Sequence, residues 1–156
     1  MKKYLFLLLI LILGLLQVTI LDHFRLFNVR PDLLLLCVVI AALSFDLRSA
    51  LIFGIFAGLL KDCFSANTFG LNTLLFCLWS ILLSRIARLV ILDDELFQAA
   101  TVFILVIIHN LVFGLIILSQ GSFVSLGIFL RIVALETILT TIFFPLVIRI
   151  AKPIYT

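Results

Sequence analysis

The segment from 31 to 62, PDLLLLCVVIAALSFDLRSALIFGIFAGLLKD, decides the fold of this chain. It holds two apolar runs, at about 31–46 and 48–62, which are short for membrane-spanning helices. The polar stretch Asp46-Leu47-Arg48-Ser49 separates them. One continuous helix would place both charges at membrane depth, which is costly. The pattern therefore predicts a tight helical hairpin.

The composition of the whole chain points to the same environment. Of its 156 residues, 65% are apolar and 12% are charged, and the mean hydropathy is +1.44. Soluble domains contain about 45–50% apolar and about 25% charged residues. The values exclude a disordered chain, a collagen-like fibre and a soluble enzyme, and they predict an integral membrane protein. The basic residues are scattered rather than clustered, so we expect no nucleic-acid partner.

Breaks in the apolar pattern predict one all-α domain over 1–156, a polytopic membrane protein with six transmembrane helices. The spans are about 4–21, 31–46, 48–62, 71–88, 96–118 and 124–150. The first span has the basic start of a signal peptide, but its apolar run is longer than usual and lacks an A-x-A site, so we expect an uncleaved helix. Pro31 is predicted at the first helical position of the second span, with Asp32 in its first turn.

The distribution of Lys and Arg predicts the orientation. With a cytoplasmic N-terminus, the inside receives most of the basic residues: Lys2, Lys3, Arg48, Arg85, Arg88, Arg149 and Lys152. The outside receives Arg25, Arg30 and Lys61, and Arg131 lies near the outer boundary. Basic residues favour the cytoplasmic side, so both termini are predicted there.

A row of small residues, Ala50, Gly54 and Gly58, runs along the third span. Small residues let helix backbones approach closely in lipid. Two interpretations stay open: packing against another helix of the same chain, and docking of another membrane protein.

The connection after the third span reads GLLKDCFSANTFGLN, from Gly58 to Asn72. Gly70 suits a position with positive φ. Asp62 follows Lys61, so one interpretation is an interfacial ion pair of small energetic value. A role in partner docking is the alternative.

Two ionisable residues lie deep in the last two spans, His109 in the fifth and Glu136 in the sixth. Counting 1.5 Å per residue along antiparallel helices places them at similar depth. Intramembrane ionisable groups usually face the bundle interior and find a partner, so we predict a polar contact between them. A structural hydrogen bond and a ligand or proton-relay role both remain open.

Motifs for catalysis or metal binding are absent from the sequence. It has no HExxH, G-x-S-x-G, P-loop or GxGxxG. Cys37, Cys63 and Cys77 include no CxxC pair. We therefore expect no enzymatic activity, no cofactor and no metal.

Several short motifs follow one another in a fixed order. They are Gln17 near the end of the first span, PDLLLL at Pro31–Leu36, G-x-x-x-G-L-x-x-D from Gly54 to Asp62, FGLN at Phe69–Asn72, and the late Pro145. The ordered set, over nearly the whole chain, resembles the rod shape-determining protein MreD family of bacteria. His109 and Glu136 match no motif of that family.

The resemblance implies a non-catalytic subunit of the bacterial inner (cytoplasmic) membrane that belongs to the elongasome. Such a subunit binds the scaffold protein MreC and acts with the MreB filament, a SEDS glycosyltransferase and a penicillin-binding transpeptidase in lateral peptidoglycan synthesis and cell shape. It also implies a fold like the S-component of energy-coupling-factor (ECF) transporters. The implied partner-binding or motif positions are Pro31, Asp32, Gly54, Gly58, Asp62, Gly70 and Asn72.

Two other classes of protein share the size and helix number. An ECF vitamin-binding S-component usually carries an A-x-x-x-A row in its first span, whereas Gly14 is the one small residue in that span here. Such a component also needs a polar and aromatic pocket, and the chain has one Trp and two Tyr. An assembly chaperone or small channel subunit is the third possibility, and ionic conductance would distinguish it.

Overall fold

The computed structural model describes residues 2–19, 29, 31–64, 70–89, 95–119 and 125–155. Six α-helices account for nearly all of them. In chain order they are α1 (Lys2–Thr19), α2 (Leu33–Ser44), α3 (Leu47–Cys63), α4 (Leu71–Leu89), α5 (Glu95–Ser119) and α6 (Leu126–Tyr155).

These helices coincide with the six predicted apolar runs, with differences of a few residues at the ends. The hairpin between α2 and α3 is confirmed, because α2 ends at Ser44 and α3 begins at Leu47. The predicted position of Pro31 is wrong. Asp32 is the N-cap of α2, so Pro31 lies before the helix. The Asp32 side chain accepts a hydrogen bond from the N–H of Leu35, three residues later, and this bond is typical of an N-cap residue.

Helix α2 is the centre of the bundle. All of its residues from Leu33 to Ala42 are buried, and it packs against α1, α3, α4, α5 and α6. A helix that is apolar on every side is stable only when other helices surround it. The unbroken run LLLLCVVIAA therefore identifies the innermost helix of the fold.

The lengths of the helices differ. Among the residues that the structure describes, three stretches are long and apolar enough to cross a membrane: Lys2–Thr19, Phe97–Ile116 and Gly127–Ile154. By contrast, α2 has 12 residues and a length of about 18 Å, well below the ~30 Å of a hydrocarbon core. That all six helices cross the membrane, and that the fold resembles that of an S-component, stay predictions. Because α2 is short, its N-terminal end lies inside the bundle, where polar side chains of the longer helices reach it.

Three aromatic rings close one end of the bundle. Phe6 of α1, Phe45 after α2 and Phe53 of α3 have ring centroids 4.8–5.2 Å apart. Next to them Asp46 caps α3, and its side chain accepts a 2.7 Å hydrogen bond from the Ser49 hydroxyl. Lys3 of α1 reaches Asp46 at 3.3 Å. This end of α2, called the Asp46 end, is thus sealed by rings and bordered by an exposed ion pair.

Candidate functional site

The two glycines of the small-residue row lie against α4. A Cβ on Gly54 would overlap the Ser80 hydroxyl, and a Cβ on Gly58 would overlap the backbone of Thr73. Only glycine allows the α3 and α4 backbones to approach so closely. Both glycines are buried within the chain, as the intramolecular interpretation expects. They do not face a surface that a partner could reach.

The Asp62 carboxylate caps the start of α4. Its Oδ1 accepts from the Asn72 backbone N–H at 3.1 Å and from Asn72 Nδ2 at 2.8 Å. Its Oδ2 accepts from the Thr73 N–H at 3.0 Å and from the Thr73 hydroxyl at 2.6 Å. The first N–H groups of a helix have no partner inside the helix, and a carboxylate from another helix satisfies them here. The turn before α4 uses Gly70 at φ +89°, so the predicted positive φ is confirmed.

The interpretation of Asp62 as the ion-pair partner of Lys61 is wrong. Lys61 instead donates to Oδ2 of Asp32, and its ammonium also lies 5.2 Å from the centroid of the Phe76 ring. Neighbouring residues on a helix point about 100° apart, so Lys61 and Asp62 face different helices. Lys61 turns toward α2, and Asp62 turns toward α4.

Asp32 joins three parts of the bundle at its buried position. Its side chain is 2% exposed; Oδ1 accepts from the Leu35 N–H at 3.1 Å while Oδ2 accepts from Lys61. Its backbone N–H donates to the Thr140 hydroxyl of α6 at 3.1 Å. Gln17 of α1 completes the cap, because its Oε1 accepts from the Leu34 N–H at 3.2 Å. The start of α2 is therefore held by α1, α3 and α6.

His109 belongs to α5, and its buried ring contacts side chains of α4. Its Nδ1 accepts a 3.1 Å hydrogen bond from the indole N–H of Trp79. An accepting Nδ1 places the proton of the neutral imidazole on Nε2. The rings of Phe76 and Phe113 pack near it, with centroids 5.6 Å and 6.1 Å away.

These groups meet around one pocket at the N-terminal end of α2, with a volume of about 260 Å³. Each helix or its cap contributes a polar side chain: Gln17, Asp32, Lys61, Asn72, His109 and Glu136. We call it the Asp32 pocket.

The Asp32 pocket contains four of the site residues that the sequence predicted. Asp32, Asn72, His109 and Glu136 all line it. The described hydrogen bond of His109 goes to Trp79, so direct contact between His109 and Glu136 stays a prediction.

Sequence reasoning missed the pairing of Lys61 with Asp32, although a signal was present. Asp32 lies 14 positions before Asp46, and Lys61 lies 14 positions after Leu47, so the two are symmetric about the hairpin turn. Residues equally far from the turn of an antiparallel hairpin lie at the same depth, since each helix rises 1.5 Å per residue. An acid and a base at matched depth predict an ion pair.

The family model for rod shape-determining protein MreD matches residues 1–153. The chain belongs to the MreD family. No curated protein and no solved structure matches it.

Membership of the MreD family gives the chain a role in rod shape determination. It is a family of shape-determining structural proteins rather than of known enzymes. Within the described residues, no three His, Cys, Asp or Glu side chains come together as a metal site. Three residues of the MreD motifs stabilise this fold. Gly54 and Gly58 allow α4 to pack closely against α3, and Asp62 caps α4.

Proposed function

We propose that the chain is a non-catalytic subunit of the bacterial inner membrane that binds an MreC-type scaffold protein. Through this contact it helps the elongasome, with its MreB filament, SEDS glycosyltransferase and penicillin-binding transpeptidase, to organise lateral peptidoglycan synthesis. The observation that carries the proposal is the MreD family match over residues 1–153. Three buried polar residues support it, because Gln17, Asp32 and Asp62 cap helices and hold the bundle together.

The bundle restricts where the scaffold binds. Helix α2 is enclosed by the other helices, so it offers no face to a partner within Leu33–Ala42. The outer helices expose large apolar side chains, among them Leu8 of α1, Leu74 of α4 and Ile104 of α5. Helices associate in lipid through close packing and hydrogen bonds rather than through hydrophobicity. The scaffold's transmembrane helix therefore packs on one of these outer faces, while α2 keeps the bundle rigid.

The proposed membrane arrangement has six crossings and both termini in the cytoplasm. The excess of Lys and Arg on that side supports it. A membrane-impermeant maleimide tests it on the native cysteines. Exposed Cys63, in the last turn of α3, should be labelled from outside in intact cells, whereas buried Cys37 should not. The Cys63→Ser variant is the control, and labelling of Cys63 only after cell lysis would contradict the orientation.

Affinity purification tests the proposed partner. The tagged full chain is expressed with its cognate MreC-type protein, and retention of the scaffold is measured in mild detergent. Bulky substitutions on outer faces, Leu8→Trp and Leu74→Trp, are compared with wild type at equal membrane abundance. We expect the wild type to retain the scaffold and at least one outer-face variant to lose it. Retention of a transport ATPase pair instead of the scaffold would overturn the proposal.

Cell shape provides the second test. The chain should restore rods in cells whose own copy has been depleted, and the outer-face variant that loses the scaffold should leave them round. Rod shape restored equally by that variant would contradict a role that depends on the scaffold.

A further inference from the structure

A groove with a volume of about 750 Å³ runs along the last turns of α6. Ala99 of α5 lines it, and its other described lining residues belong to α6, between Thr141 and Lys152. Ligand sites have volumes of about 300–1,000 Å³, so the space is large enough for a ligand. We call it the Arg149 groove.

The spacing along α6 places the centre and the end of the groove on one face. Pro145, Arg149 and Lys152 follow one another at intervals of four and three residues. Residues three and four apart are neighbours on one side of a helix. All three line the groove and are exposed, so a ligand in the groove reaches both basic side chains.

The charge of the groove is positive. Its described lining includes two basic side chains, Arg149 and Lys152, and no acidic one. The other polar side chain of that lining, Thr141, lies at the far end and donates its hydroxyl hydrogen to the Thr137 carbonyl at 2.8 Å. Two cations at one end of an apolar groove are complementary to an anion that carries an apolar tail.

The length and the depth of the groove match one leaflet of a membrane. From Thr141 to Lys152 the helix rises about 16 Å, which is close to half of the ~30 Å hydrocarbon core. The apolar stretch of α6 ends at Ile154, so Arg149 lies about 7.5 Å before that end and Lys152 about 3 Å before it. The basic end of the groove is therefore at the depth of lipid head groups, and the apolar part is at the depth of acyl chains.

The exposed side chains favour a flexible chain over a second helix. Ile142 and Leu146 line the groove and are 63% and 57% exposed. Helices in lipid pack closely where Gly, Ala, Ser or Thr lets the backbones approach. None of the exposed residues from Ile142 to Ile150 is of these types. An acyl chain bends to fill the space between branched side chains, whereas a rigid helix does not.

The two cations also select the head group. A phosphodiester carries one negative charge and accepts charge-assisted hydrogen bonds from Arg and Lys. A zwitterionic head adds an ammonium, which Arg149 and Lys152 repel. Basic pockets between transmembrane helices bind anionic head groups in membrane proteins generally.

We propose that the Arg149 groove binds one anionic phospholipid, with its phosphate on Arg149 and Lys152 and an acyl chain along Leu146. The inference rests on the proposed position of the bundle in the membrane and not on binding of the scaffold. Because the lipid is measured on the chain alone, a failure of the scaffold proposal leaves this test unaffected.

Native mass spectrometry of the purified full chain tests the proposal, because it counts the lipids that stay bound when detergent is removed. Dioleoyl phosphatidylglycerol is compared with dioleoyl phosphatidylethanolamine, which has the same chains and a zwitterionic head. Glycerol phosphate, which has no chains, is the third probe. We expect saturable retention of one phosphatidylglycerol and weaker retention of the other two. Equal retention of the two lipids would overturn the proposal, and so would retention of glycerol phosphate at the level of phosphatidylglycerol.

Two charge variants separate the groove from a general attraction between a basic surface and anionic lipid. Arg149→Gln/Lys152→Gln should lower the affinity for phosphatidylglycerol about ten- to thirtyfold. Arg48→Gln/Arg85→Gln removes the same charge from exposed residues of α3 and α4, which the sequence predicts on the same side of the membrane, and should bind like the wild type. Salt should weaken binding by the wild type more than binding by the groove variant.

A second pair of variants tests the apolar part with both charges intact. Leu146→Trp obstructs the groove and should reduce retention of phosphatidylglycerol. Ile138→Trp adds the same ring at a 51% exposed position of α6 outside the described lining, and should not reduce it. The proposal is overturned if either groove variant binds the lipid like its control. Loss of the scaffold with unchanged lipid binding in the charge variant would assign the groove to a partner helix instead.

Discussion

Helices α2 and α3 begin in the same chemical way and in opposite surroundings. Each starts at an aspartate N-cap, Asp32 or Asp46, whose carboxylate also pairs with a lysine of another helix. In the Asp32–Lys61 pair the side chains are 2% and 18% exposed. In the Asp46–Lys3 pair they are 53% and 61% exposed. The same two residue types therefore form one interior and one surface ion pair.

The difference shows that burial, and not the presence of an ion pair, decides what such a contact contributes. An exposed pair is solvated in the unfolded state as well, is screened by salt, and contributes little. A buried pair is different, because removal of one partner leaves an uncompensated charge in an apolar surrounding. Single substitutions at the N-terminal end of α2, around Asp32, should therefore lower the stability strongly. Substitutions at the Asp46 end should change it little.

The largest expected effect comes from breaking the buried pair. Lys61→Met leaves the Asp32 carboxylate without its ammonium partner, and the free energy of unfolding should fall by about 3–5 kcal/mol. Thermal unfolding in detergent measures it. The double variant Lys61→Met/Asp32→Asn should recover most of the loss, because asparagine still caps α2 and carries no charge. If the Lys61→Met protein were as stable as the wild type, the buried ion pair would contribute as little to stability as the exposed one.

The next effect concerns the second buried carboxylate. Asp62→Ala removes four hydrogen bonds to the start of α4 and should cost about 2–3 kcal/mol. Hydrogen exchange in the first turn of α4 should rise along with the loss in stability. Asp62→Asn, which keeps one acceptor, is the graded control and should lose less. Equal stability of the alanine and asparagine variants would argue against the capping role.

A smaller effect is expected from a neutral hydrogen bond at the same end. Trp79→Phe removes the indole donor to His109 Nδ1 and should cost about 1 kcal/mol in unfolding free energy. Because the donor is uncharged, the loss should not depend on salt. Salt-dependent loss would mean that a charge takes part in this contact.

The smallest effect is expected at the Asp46 end. Lys3→Ala should leave the melting temperature nearly unchanged, since its partner is exposed.

The hydrogen bond from Ser49, together with Lys3, holds the pKa of Asp46 below its ordinary value. A lowered pKa stabilises the fold above the ordinary pKa of the carboxyl, and this contribution is lost as the pH falls through the lowered value. Melting curves of wild type and Lys3→Ala should therefore coincide at high salt and in acid, and a large gap at neutral pH would contradict the comparison.

The sequence by itself determined the helices, the turn between α2 and α3, and the glycine that precedes α4. Apolar runs, the charged stretch at 46–49 and Gly70 place six helices and a hairpin close to where the structure has them. These features depend on local physics: apolar length, the cost of a buried charge, and the backbone freedom of glycine. Even the central position of α2 is visible as an apolar run without a polar face.

Only the tertiary structure decided which polar groups meet. Chain adjacency suggested Lys61 with Asp62, whereas Lys61 binds Asp32. Depth suggested His109 with Glu136, which stays a prediction, and nothing in the sequence pointed to the bond that His109 accepts from Trp79. The direction of a side chain around its helix depends on how the helices cross and rotate against each other, and apolar packing in lipid leaves little trace of this in composition. The Asp32 pocket arises in the same way, because a short helix surrounded by longer ones brings polar side chains of all of them to one place.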